Sequence, residues 1–442
     1  MGLALVTDLY ELTMAASYLR RGMTAPATFS LFVRKLPPHR GFVVAAGLDD
    51  VLTVLEHLAF DESDAAWLRE HGFADRDVDA LCDLRFTGDV RAMPEGRVLF
   101  ANEPLLEITA PLPVAQLVET IVLNQITYQT TIASKAARCT IAAAGRASLV
   151  DFGLRRTFGI EAGMAATRAT AIAGFAGTSN VAAAKAYGLH AVGTMAHAYV
   201  EAFPTEREAF TAFAEDFPDR ATFLVDTYDT LTGVATAVEV ADHLGLHGRT
   251  GVRLDSGDLL SLSLAARDLL DRAGRSSVSI YASGGLDELD VQDLLDAGAP
   301  IDSFGLGTRI GISADAPSLD SVYKLVEYDG RPVMKLSPGK STLPGPKQVF
   351  RADPDRGDVL ALCSEPPPGA ATPLLVEVMR DGRRTEPPAS LAAAAARLAA
   401  DLARLPPRTL DLRAPTPIEV HVSEALESLA HEVSAAHRRR PS

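Results

Sequence analysis

The sequence predicts an α/β protein built on an irregular TIM-like α/β barrel, with a second, β-rich α+β domain formed by the N-terminal and C-terminal segments. Three observations favour this fold. About seven short apolar runs lie between residues 147 and 304, polar or small residues follow each run, and helix-like segments separate them. Parallel strands joined by helices form such barrels, whose sites lie at the carboxyl ends of the strands. The predicted strands span residues 147–152, 172–175, 190–192, 222–225, 251–254, 278–282 and 301–304.

The segment before the barrel is predicted to be β-rich. A helix opens near residue 8 and ends at Gly22, because apolar residues recur at helical spacing between them. Stretches at 27–33, 42–46 and 88–110 have the apolar pattern of strands, and 117–143 predicts a mostly helical connection into the barrel. The basic connection at 34–41 is either a solvated loop or a loop that faces a phosphate. We expect domains at 1–115, 116–320 and 321–442, with the last packing on the first.

The first three predicted barrel strands end in polar side chains. Arg155 and Arg156 follow the first strand, where two guanidiniums would face an anion or each other. The second strand ends in a turn at 177–180, whose hydroxyls and helix start expose backbone N–H groups that can hold an anion. His197 follows the third strand, and a lone histidine there is more often structural than catalytic.

Carboxylates follow the next two strands. Asp226 and Asp229 come after the strand at 222–225, and Asp255 and Asp258 come after the strand at 251–254. Mg²⁺ takes one or two protein carboxylates as a rule, so not all four can be ligands, and Asp258 suits the N-cap of the following helix. Arg253, inside its strand, is either paired with a neighbouring carboxylate or presented to a ligand.

Glycine-rich turns follow the last two strands. Glycine lets the backbone approach a phosphate closely, and the late loops of such barrels commonly hold a phosphate at a helix N-terminus. The alternative is a pair of tight turns without a ligand. The residues expected to bind phosphate are Ser283, Gly284, Gly285, Gly305, Gly307 and Thr308.

The C-terminal segment is predicted to contain strands at 322–327 and 333–336 and helices at 391–405 and 424–436. Between the strands and the helices lies a lysine-rich stretch at 335–351, which is either a surface hairpin or a cationic loop that reaches over the site. The arginines at 438–440 are expected to form a solvated tail.

Composition excludes several classes of protein. The formal net charge of −15 argues against non-specific nucleic-acid binding, which requires many cations. No uninterrupted apolar run of 18 residues is present, and the first residues have no signal-peptide pattern, so we expect a cytoplasmic protein. Three cysteines without short spacing indicate neither a disulfide framework nor a zinc site.

Eight stretches resemble, in the same order, the motifs of nicotinate phosphoribosyltransferases. They are TDLYELTM (7–14), DFGLRR (151–156), GFAGTSN (174–180), GTMAHAYV (193–200), VDTYD (225–229), RLDSGD (253–258), ASGGLDE (282–288) and KLSPGKSTLPGPKQVFR (335–351). The resemblance implies a type II phosphoribosyltransferase barrel. It further implies transfer of phosphoribosyl from phosphoribosyl pyrophosphate (PRPP) to nicotinate for NAD salvage, with ATP as co-substrate and Mg²⁺ as cofactor.

The resemblance also assigns the pyridine slot. Phe152 and Tyr10 would sandwich the ring, with Tyr10 supplied by the neighbouring subunit, so a homodimer with shared sites is expected. Arg155 would face the carboxylate bidentately, and Thr178 would also contact substrate. In nicotinamide phosphoribosyltransferase the position of Ser179 carries an aspartate that would repel nicotinate. A neutral serine here favours the acid as substrate.

The remaining roles follow from the same resemblance. His197 would take the γ-phosphoryl group of ATP as a phosphohistidine, and a neutral imidazole is a competent nucleophile. From their place at the strand ends, Asp255 and Asp226 are expected to contact ribose hydroxyls or the metal shell, and the resemblance assigns Arg253 to substrate. The metal ligands stay unassigned. Further candidates for phosphate contacts are Arg156, Lys335, Lys340 and Lys347.

Three rival functions are weaker. Quinolinate phosphoribosyltransferase acts on a substrate with a second carboxylate and does not need the ATP-linked histidine. A barrel aldolase needs a lysine at a strand end to form a Schiff base, and none is predicted there. A catalytically silent sensor of phosphoribosyl ligands would bind without turnover.

Overall fold

The computed structural model describes residues 3–246, 250–337, 340, 342–352 and 357–438. The chain divides into two compact units. The first unit contains residues 1–131 and 318–442, and the barrel unit contains residues 132–317. Within the described ranges, no helix combines the length and the apolar character that crossing a membrane requires.

The N-terminal segment alternates helices with short strands. Asp8 is the N-cap of the first helix, where the apolar spacing predicts one. The elements are α1 Leu9–Arg20, β1 Pro26–Val33, β2 Val43–Val44, α2 Leu48–Glu56, α3 Glu62–Glu70, α4 Asp75–Cys82, β3 Asp89–Ala92, β4 Val98–Leu99, β5 Pro104–Pro111, α5 Leu112–Leu117 and α6 Glu119–Ala143.

The barrel unit consists of short strands, each followed by a helix. Its elements are β6 Ser148–Asp151, α7 Ile160–Ile172, β7 Gly177–Thr178, α8 Val181–Tyr187, α9 His197–Glu201, α10 Glu206–Asp216, β8 Thr222–Leu224, α11 Thr230–His243, β9 Gly251–Leu254, α12 Leu259–Arg272, β10 Ser279–Ala282, α13 Glu288–Asp296, β11 Ser303–Leu306 and α14 Thr308–Gly311. Short 3₁₀ turns lie at Leu154–Arg156 and Pro218–Arg220.

One predicted strand of the barrel is wrong. The apolar run at 172–175 is the end of α7 and its turn, and the strand begins two residues later at Gly177. Gly174, with φ of 89°, ends the helix, and the Phe175 N–H bonds back to the Thr170 carbonyl. Helices commonly end in this way at a left-handed glycine. A short buried run does not distinguish a helix end from a strand.

The barrel strands are parallel and form one sheet in the order β7-β6-β11-β10-β9-β8. The predicted strand at 190–192 joins this sheet through a single parallel bridge between Ala191 and Thr178. The arrangement is the irregular α/β barrel that the sequence predicts, and it brings the carboxyl ends of the strands to one edge.

The C-terminal segment is mainly β-structure followed by helices. It contains β12 Ser321–Tyr328, β13 Arg331–Pro332, β14 Lys347–Arg351, β15 Asp358–Leu362, β16 Thr372–Pro373, β17 Val376–Arg380, β18 Arg383–Arg384, α15 Leu391–Leu402, α16 Pro407–Leu410, β19 Val420–Val422 and α17 Glu424–Arg438. The predicted strand at 333–336 is absent, and the hairpin partner of β12 lies at 331–332 instead. Pro338, Gly339 and Ser341 of the lysine-rich stretch at 335–351, and Arg439 and Arg440 of the tail, lie outside the described residues.

Both ends of the chain contribute to the first unit. Its seven-stranded sheet has the order β13-β12-β1-β5-β3-β17-β18, so strands of the N-terminal segment pair with strands of the C-terminal segment. Leu31 pairs with Tyr323, and the Tyr323 ring stacks on Phe29 with 4.8 Å between centroids. A second sheet has the order β16-β14-β15-β19. The predicted β-rich domain formed from both segments is therefore present.

Two cations of the lysine-rich stretch at 335–351 are structural residues of the first unit. Lys347 is buried, donates to the Gly345 carbonyl at 2.7 Å and lies 3.5 Å from a Glu107 carboxylate oxygen. Arg351 is also buried, and its Nε lies 3.0 Å from both Asp358 oxygens. Buried charges require such partners. Neither side chain is open to a phosphate ligand in this structure.

Candidate active site

The sheet order brings five polar strand ends of the barrel next to one another. Phe152 and Arg155 follow β6, residues 305–308 span the end of β11, Ser283 follows β10, Asp255 follows β9, and Asp226 lies two residues after the end of β8. These ends lie at the same edge because all the strands are parallel. The predicted site residues of the barrel therefore converge on one face of one unit.

The position of the Phe152 ring requires a glycine on the neighbouring strand. A Cβ at Gly305 would lie 2.4 Å from ring atom Cε2 of Phe152, and a Cβ at Gly307 would lie 2.8 Å from the Phe152 carbonyl oxygen. The Arg253 guanidinium carbon is 5.5 Å from the centroid of the Phe152 ring. A cation over an aromatic face is attracted by the ring quadrupole. Gly305, predicted to bind phosphate, has a demonstrable role in making room for the ring.

Arg253 and Asp255 form a hydrogen-bonded pair with Ser283. Arg253 donates from Nη2 to Asp255 Oδ1 at 2.6 Å and from Nε to the Ser283 hydroxyl at 2.8 Å. The Ser283 hydroxyl in turn donates to Asp255. Burial alone would raise the pKa of Asp255, but this hydrogen bond and the charge of Arg253 outweigh burial and hold the pKa below its usual value. Ser283 is buried, so its side chain serves this pair.

The two carboxylate oxygens of Asp226 differ in their hydrogen bonds within the described part of the chain. Its Oδ2 accepts from the Asp255 backbone N–H at 3.0 Å and from the Ser256 hydroxyl at 2.6 Å. Its Oδ1 is buried and has no hydrogen-bond partner among the residues that the structure describes. A buried carboxylate oxygen without a donor is unfavourable, so this atom is suited to a ligand hydroxyl or a cation. By contrast, Asp229 and Asp258 cap α11 and α12, as expected for Asp258.

His197 is half-buried and begins the short helix α9. Its Nδ1 lies 3.1 Å from the hydroxyl of Thr227, the residue that follows Asp226. The sequence analysis did not find this partner, because 30 residues separate the two side chains. The hydrogen bond engages Nδ1 and leaves Nε2 as the nitrogen available for chemistry.

The residues after β6 and β7 that are predicted to contact substrate or phosphate differ in exposure. Arg155, Arg156 and Ser179 are exposed, and Arg155 and Arg156 have no recorded ion pair within the described part of the chain. Thr178 is only 1% exposed, and its hydroxyl donates to Asp151 at 2.7 Å. The Thr178 side chain therefore supports its turn and is not open to a ligand in this structure.

The glycine turn after β10 is shaped by a close approach of two backbones. Gly284 has φ of 109°, and a Cβ there would lie 2.1 Å from the Asp255 carbonyl oxygen, so no other residue fits. Gly285 and Thr308 are exposed. The N-terminus of α13 is already satisfied by a capping box formed by Asp287 and Asp290. A phosphate at this edge would therefore meet the turns at 284–285 and 307–308 rather than α13.

A cavity of about 410 Å³ extends from these strand ends into the barrel unit. Phe152, Arg253 and Ser283 line it at the carboxyl ends of the strands, and Thr222 and Ser303 line it where two strands begin. Such a volume is typical of small-molecule sites. Among the described residues, no cluster of three or more His, Cys, Asp or Glu side chains forms a preassembled metal site.

The other candidate residues belong to the first unit. Tyr10 is about half exposed, and its place in a site stays a prediction. Arg34 of the basic connection lies 3.7 Å from Asp320 Oδ1, and a cavity of about 560 Å³ lies beside this connection. Lys335 and Lys340 are exposed.

Family models match three successive parts of the chain, and all three describe the same family. The family models that match describe the N-terminal domain of nicotinate phosphoribosyltransferase at residues 5–127, the nicotinate phosphoribosyltransferase family at 147–343 and its C-terminal domain at 357–430. The nicotinate phosphoribosyltransferase pncB2 of Mycobacterium tuberculosis is 51% identical over 386 residues, which are 86% of this chain and 82% of the relative.

Two solved structures share the fold. The crystal structure of the human nicotinic acid phosphoribosyltransferase has a TM-score of 0.86 and 31% identity, covering 97% of this chain and 100% of the human one. A nicotinate-nucleotide pyrophosphorylase from Pyrococcus furiosus has a TM-score of 0.75 and 25% identity, covering 91% of this chain and 95% of its own. This chain belongs to the nicotinate phosphoribosyltransferase family.

Proposed function

We propose that this chain transfers the phosphoribosyl group of PRPP to nicotinate, giving nicotinate mononucleotide and pyrophosphate for NAD salvage. We further propose that ATP hydrolysis through a phosphohistidine drives this transfer. The observation that supports the proposal most strongly is the adjacency of Phe152, Arg253, Asp255, Asp226 and Ser283 at the strand ends of one barrel. An aromatic face there suits the pyridine ring of nicotinate, and a cation and two carboxylates suit the phosphates and ribose of PRPP.

The base would lie against Phe152. The Phe152 ring occupies space that is free because Gly305 has no side chain, and Arg253 covers part of the ring face. Arg155 is exposed and has no ion pair among the described residues, and it would face the nicotinate carboxylate as a bidentate donor. Ser179 is neutral and exposed, so it does not repel an acid. This slot favours nicotinate over nicotinamide.

The carboxylates would act on the ribose. Positive charge develops on the sugar as the bond to pyrophosphate breaks, as in other glycosidic substitutions. Asp255 has a depressed pKa and is therefore ionised at neutral pH, where its charge stabilises that transition state. Asp226 Oδ1, which is buried and has no donor among the described residues, would accept from a ribose hydroxyl. The exposed glycine turn at 284–285 and the exposed Thr308 would meet the phosphates.

Mg²⁺ fits the same donor set. Asp226 Oδ1 and Asp255 are hard oxygen donors, and Mg²⁺ usually takes one or two carboxylates together with substrate phosphates and water. These two residues would hold it. When bound, the cation would neutralise charge on the departing pyrophosphate.

His197 would carry the phosphoryl group. In the tautomer in which Nδ1 donates to the Thr227 hydroxyl, the Nε2 lone pair would attack the γ-phosphorus of ATP, forming an N–P bond as the bond to ADP breaks. Water would later hydrolyse the phosphohistidine to inorganic phosphate.

The active form would be a homodimer. Large apolar side chains of the barrel unit are exposed around the turns that carry Arg155 and Ser179: Phe158 is 82% exposed, Ile160 is 75% exposed and Val181 is 71% exposed. Apolar side chains grouped in this way are typical of a protein interface. We propose that a second copy covers them and that Tyr10 of the partner subunit completes the pyridine slot.

The test is an assay of the purified protein with PRPP and each of nicotinate, nicotinamide and quinolinate, with and without ATP. We expect turnover of nicotinate above both alternatives and stimulation by ATP. Faster turnover of nicotinamide or quinolinate would overturn the substrate assignment, and calorimetric binding without turnover would overturn the assignment as an enzyme.

A further inference from the structure

A buried carboxylate lies beneath the two turns that carry the proposed pyridine-binding residues. Asp151 is the last residue of β6 and is 3% exposed. Its Oδ1 accepts from the Gly153 backbone N–H at 2.8 Å. Its Oδ2 accepts from the hydroxyls of Thr167 and Thr178, both at 2.7 Å. Its backbone carbonyl accepts from the Ser179 N–H at 2.8 Å. One residue thus binds the turn after β6, the turn after β7 and helix α7.

The hydroxyls around Asp151 are shielded from water and make further hydrogen bonds within α7 and the same turns, such as that of Thr167 Oγ1 to the Gly163 carbonyl at 3.1 Å. Thr167 and Thr178 are each 1% exposed, so water does not compete for them. The Thr178 hydroxyl also accepts from the Asn180 N–H at 2.9 Å, which fixes the turn immediately after Ser179. The Asn180 side chain caps α8 through the Ala183 N–H. A buried polar network with every member satisfied specifies one arrangement of the chain.

The network joins the residues proposed to hold the ring and the carboxylate. Gly153 follows Phe152 directly and precedes Arg155 by two residues, while Thr178 precedes Ser179. A hydrogen bond between buried groups is directional, so each bond to Asp151 restricts where these side chains can lie. We infer that Asp151 is a positioning residue that couples the Phe152–Arg155 turn to the Ser179 turn and so sets the affinity for nicotinate. This inference rests on the proposed function.

The test uses isosteric removal of one hydroxyl at a time in the full chain. Thr167→Val and Thr178→Val each remove one donor to Asp151, and each should raise the KM for nicotinate by about tenfold. The KM for PRPP should change by less than about twofold, because the phosphate and ribose contacts lie on other strands. Thr178→Ser keeps the hydroxyl and should restore the KM for nicotinate.

Thr170→Val is the matched control. Thr170 lies on the same helix and is 2% exposed, but its hydroxyl donates to the Thr167 carbonyl and not to Asp151. It should leave the KM for nicotinate unchanged even if it lowers thermal stability. An unchanged KM in Thr167→Val would overturn the inference, and so would an equal rise of both KM values. A rise of the KM for nicotinate in Thr178→Val alone would also overturn the inference, because it would assign Thr178 to direct substrate contact.

A second measurement separates this inference from the proposed function. Hydrogen exchange followed by mass spectrometry reports opening of the turns without any substrate. Thr167→Val should speed exchange in peptides covering both 152–156 and 177–180, and Thr170→Val should not. If nicotinate is not a substrate but both turns open, the proposed function fails and the coupling stands. Faster exchange in neither turn, or in only one, would overturn the coupling. Asp151→Asn, which keeps size, gives the same readout if a valine variant does not fold.

Discussion

Replacing Gly305 with alanine should distort the pyridine slot without changing any group that contacts substrate. The added Cβ would lie 2.4 Å from Cε2, 2.6 Å from Cδ2 and 3.2 Å from Cζ of the Phe152 ring. Ordinary carbon–carbon contacts are about 3.5 Å, so the ring must move by about 1 Å. Overpacking of this kind costs about 1–3 kcal/mol of stability. A shift of this size in a substrate-positioning group lowers kcat/KM by up to about 100-fold.

The assay combines kinetics with a double-mutant cycle. Gly305→Ala should lower kcat/KM for nicotinate and the midpoint of thermal unfolding together. In a Phe152→Leu background the ring is absent, so the same alanine should cost much less stability. Strictly additive effects of the two substitutions on the free energy of unfolding would refute the steric reasoning, since residues in contact are expected to couple. Wild-type kcat/KM in Gly305→Ala would refute the place of Phe152 in the slot.

Three further predictions concern individual side chains. His197→Ala should abolish ATP hydrolysis and the acid-labile phosphoprotein, and an unchanged ATPase rate would contradict its role. Ser179→Asp places a charge beside the nicotinate carboxylate and should lower the ratio of nicotinate to nicotinamide kcat/KM by at least about tenfold, measured by competition. Ser283→Ala removes a hydrogen-bond donor to Asp255. The folded-state pKa of Asp255 lies below its usual value, so the ionised carboxylate stabilises the protein above about pH 4. This stabilisation is lost as the pH falls. The variant raises this pKa, so acid unfolding followed by circular dichroism should begin at a higher pH than in the wild type, and an unshifted curve would argue against the pair.

Much of the barrel could be predicted because its strands are short apolar runs that end in distinctive residues. The run at 251–254 is a strand in the structure and ends before Asp255, as expected. The run at 172–175 failed because buried helix ends and buried strands have the same composition, and only the left-handed Gly174 separates them. The order of the strands in the sheet could not be read from the chain, because pairing is set by tertiary packing.

The sequence predicted which residues lie at the candidate site better than it predicted what each side chain does there. Ser283 and Thr178 have the hydroxyls that suit a ligand, yet both are buried and bonded to aspartates of neighbouring strands. Such a use is invisible in the sequence, because the partners lie 28 and 27 residues away. Thr227 was missed for the same reason. The last residue of the β6 strand, Asp151, gave a signal that was not used: a carboxylate ending an apolar run needs buried donors.

The most direct test is a structure of this protein with nicotinate mononucleotide bound. We expect the pyridine ring to stack on Phe152, its carboxylate to contact Arg155, and a ribose hydroxyl to reach Asp226 Oδ1. A nucleotide bound away from the carboxyl ends of the barrel strands, with Asp226 and Phe152 untouched, would contradict the central claim that these strand ends form the active site.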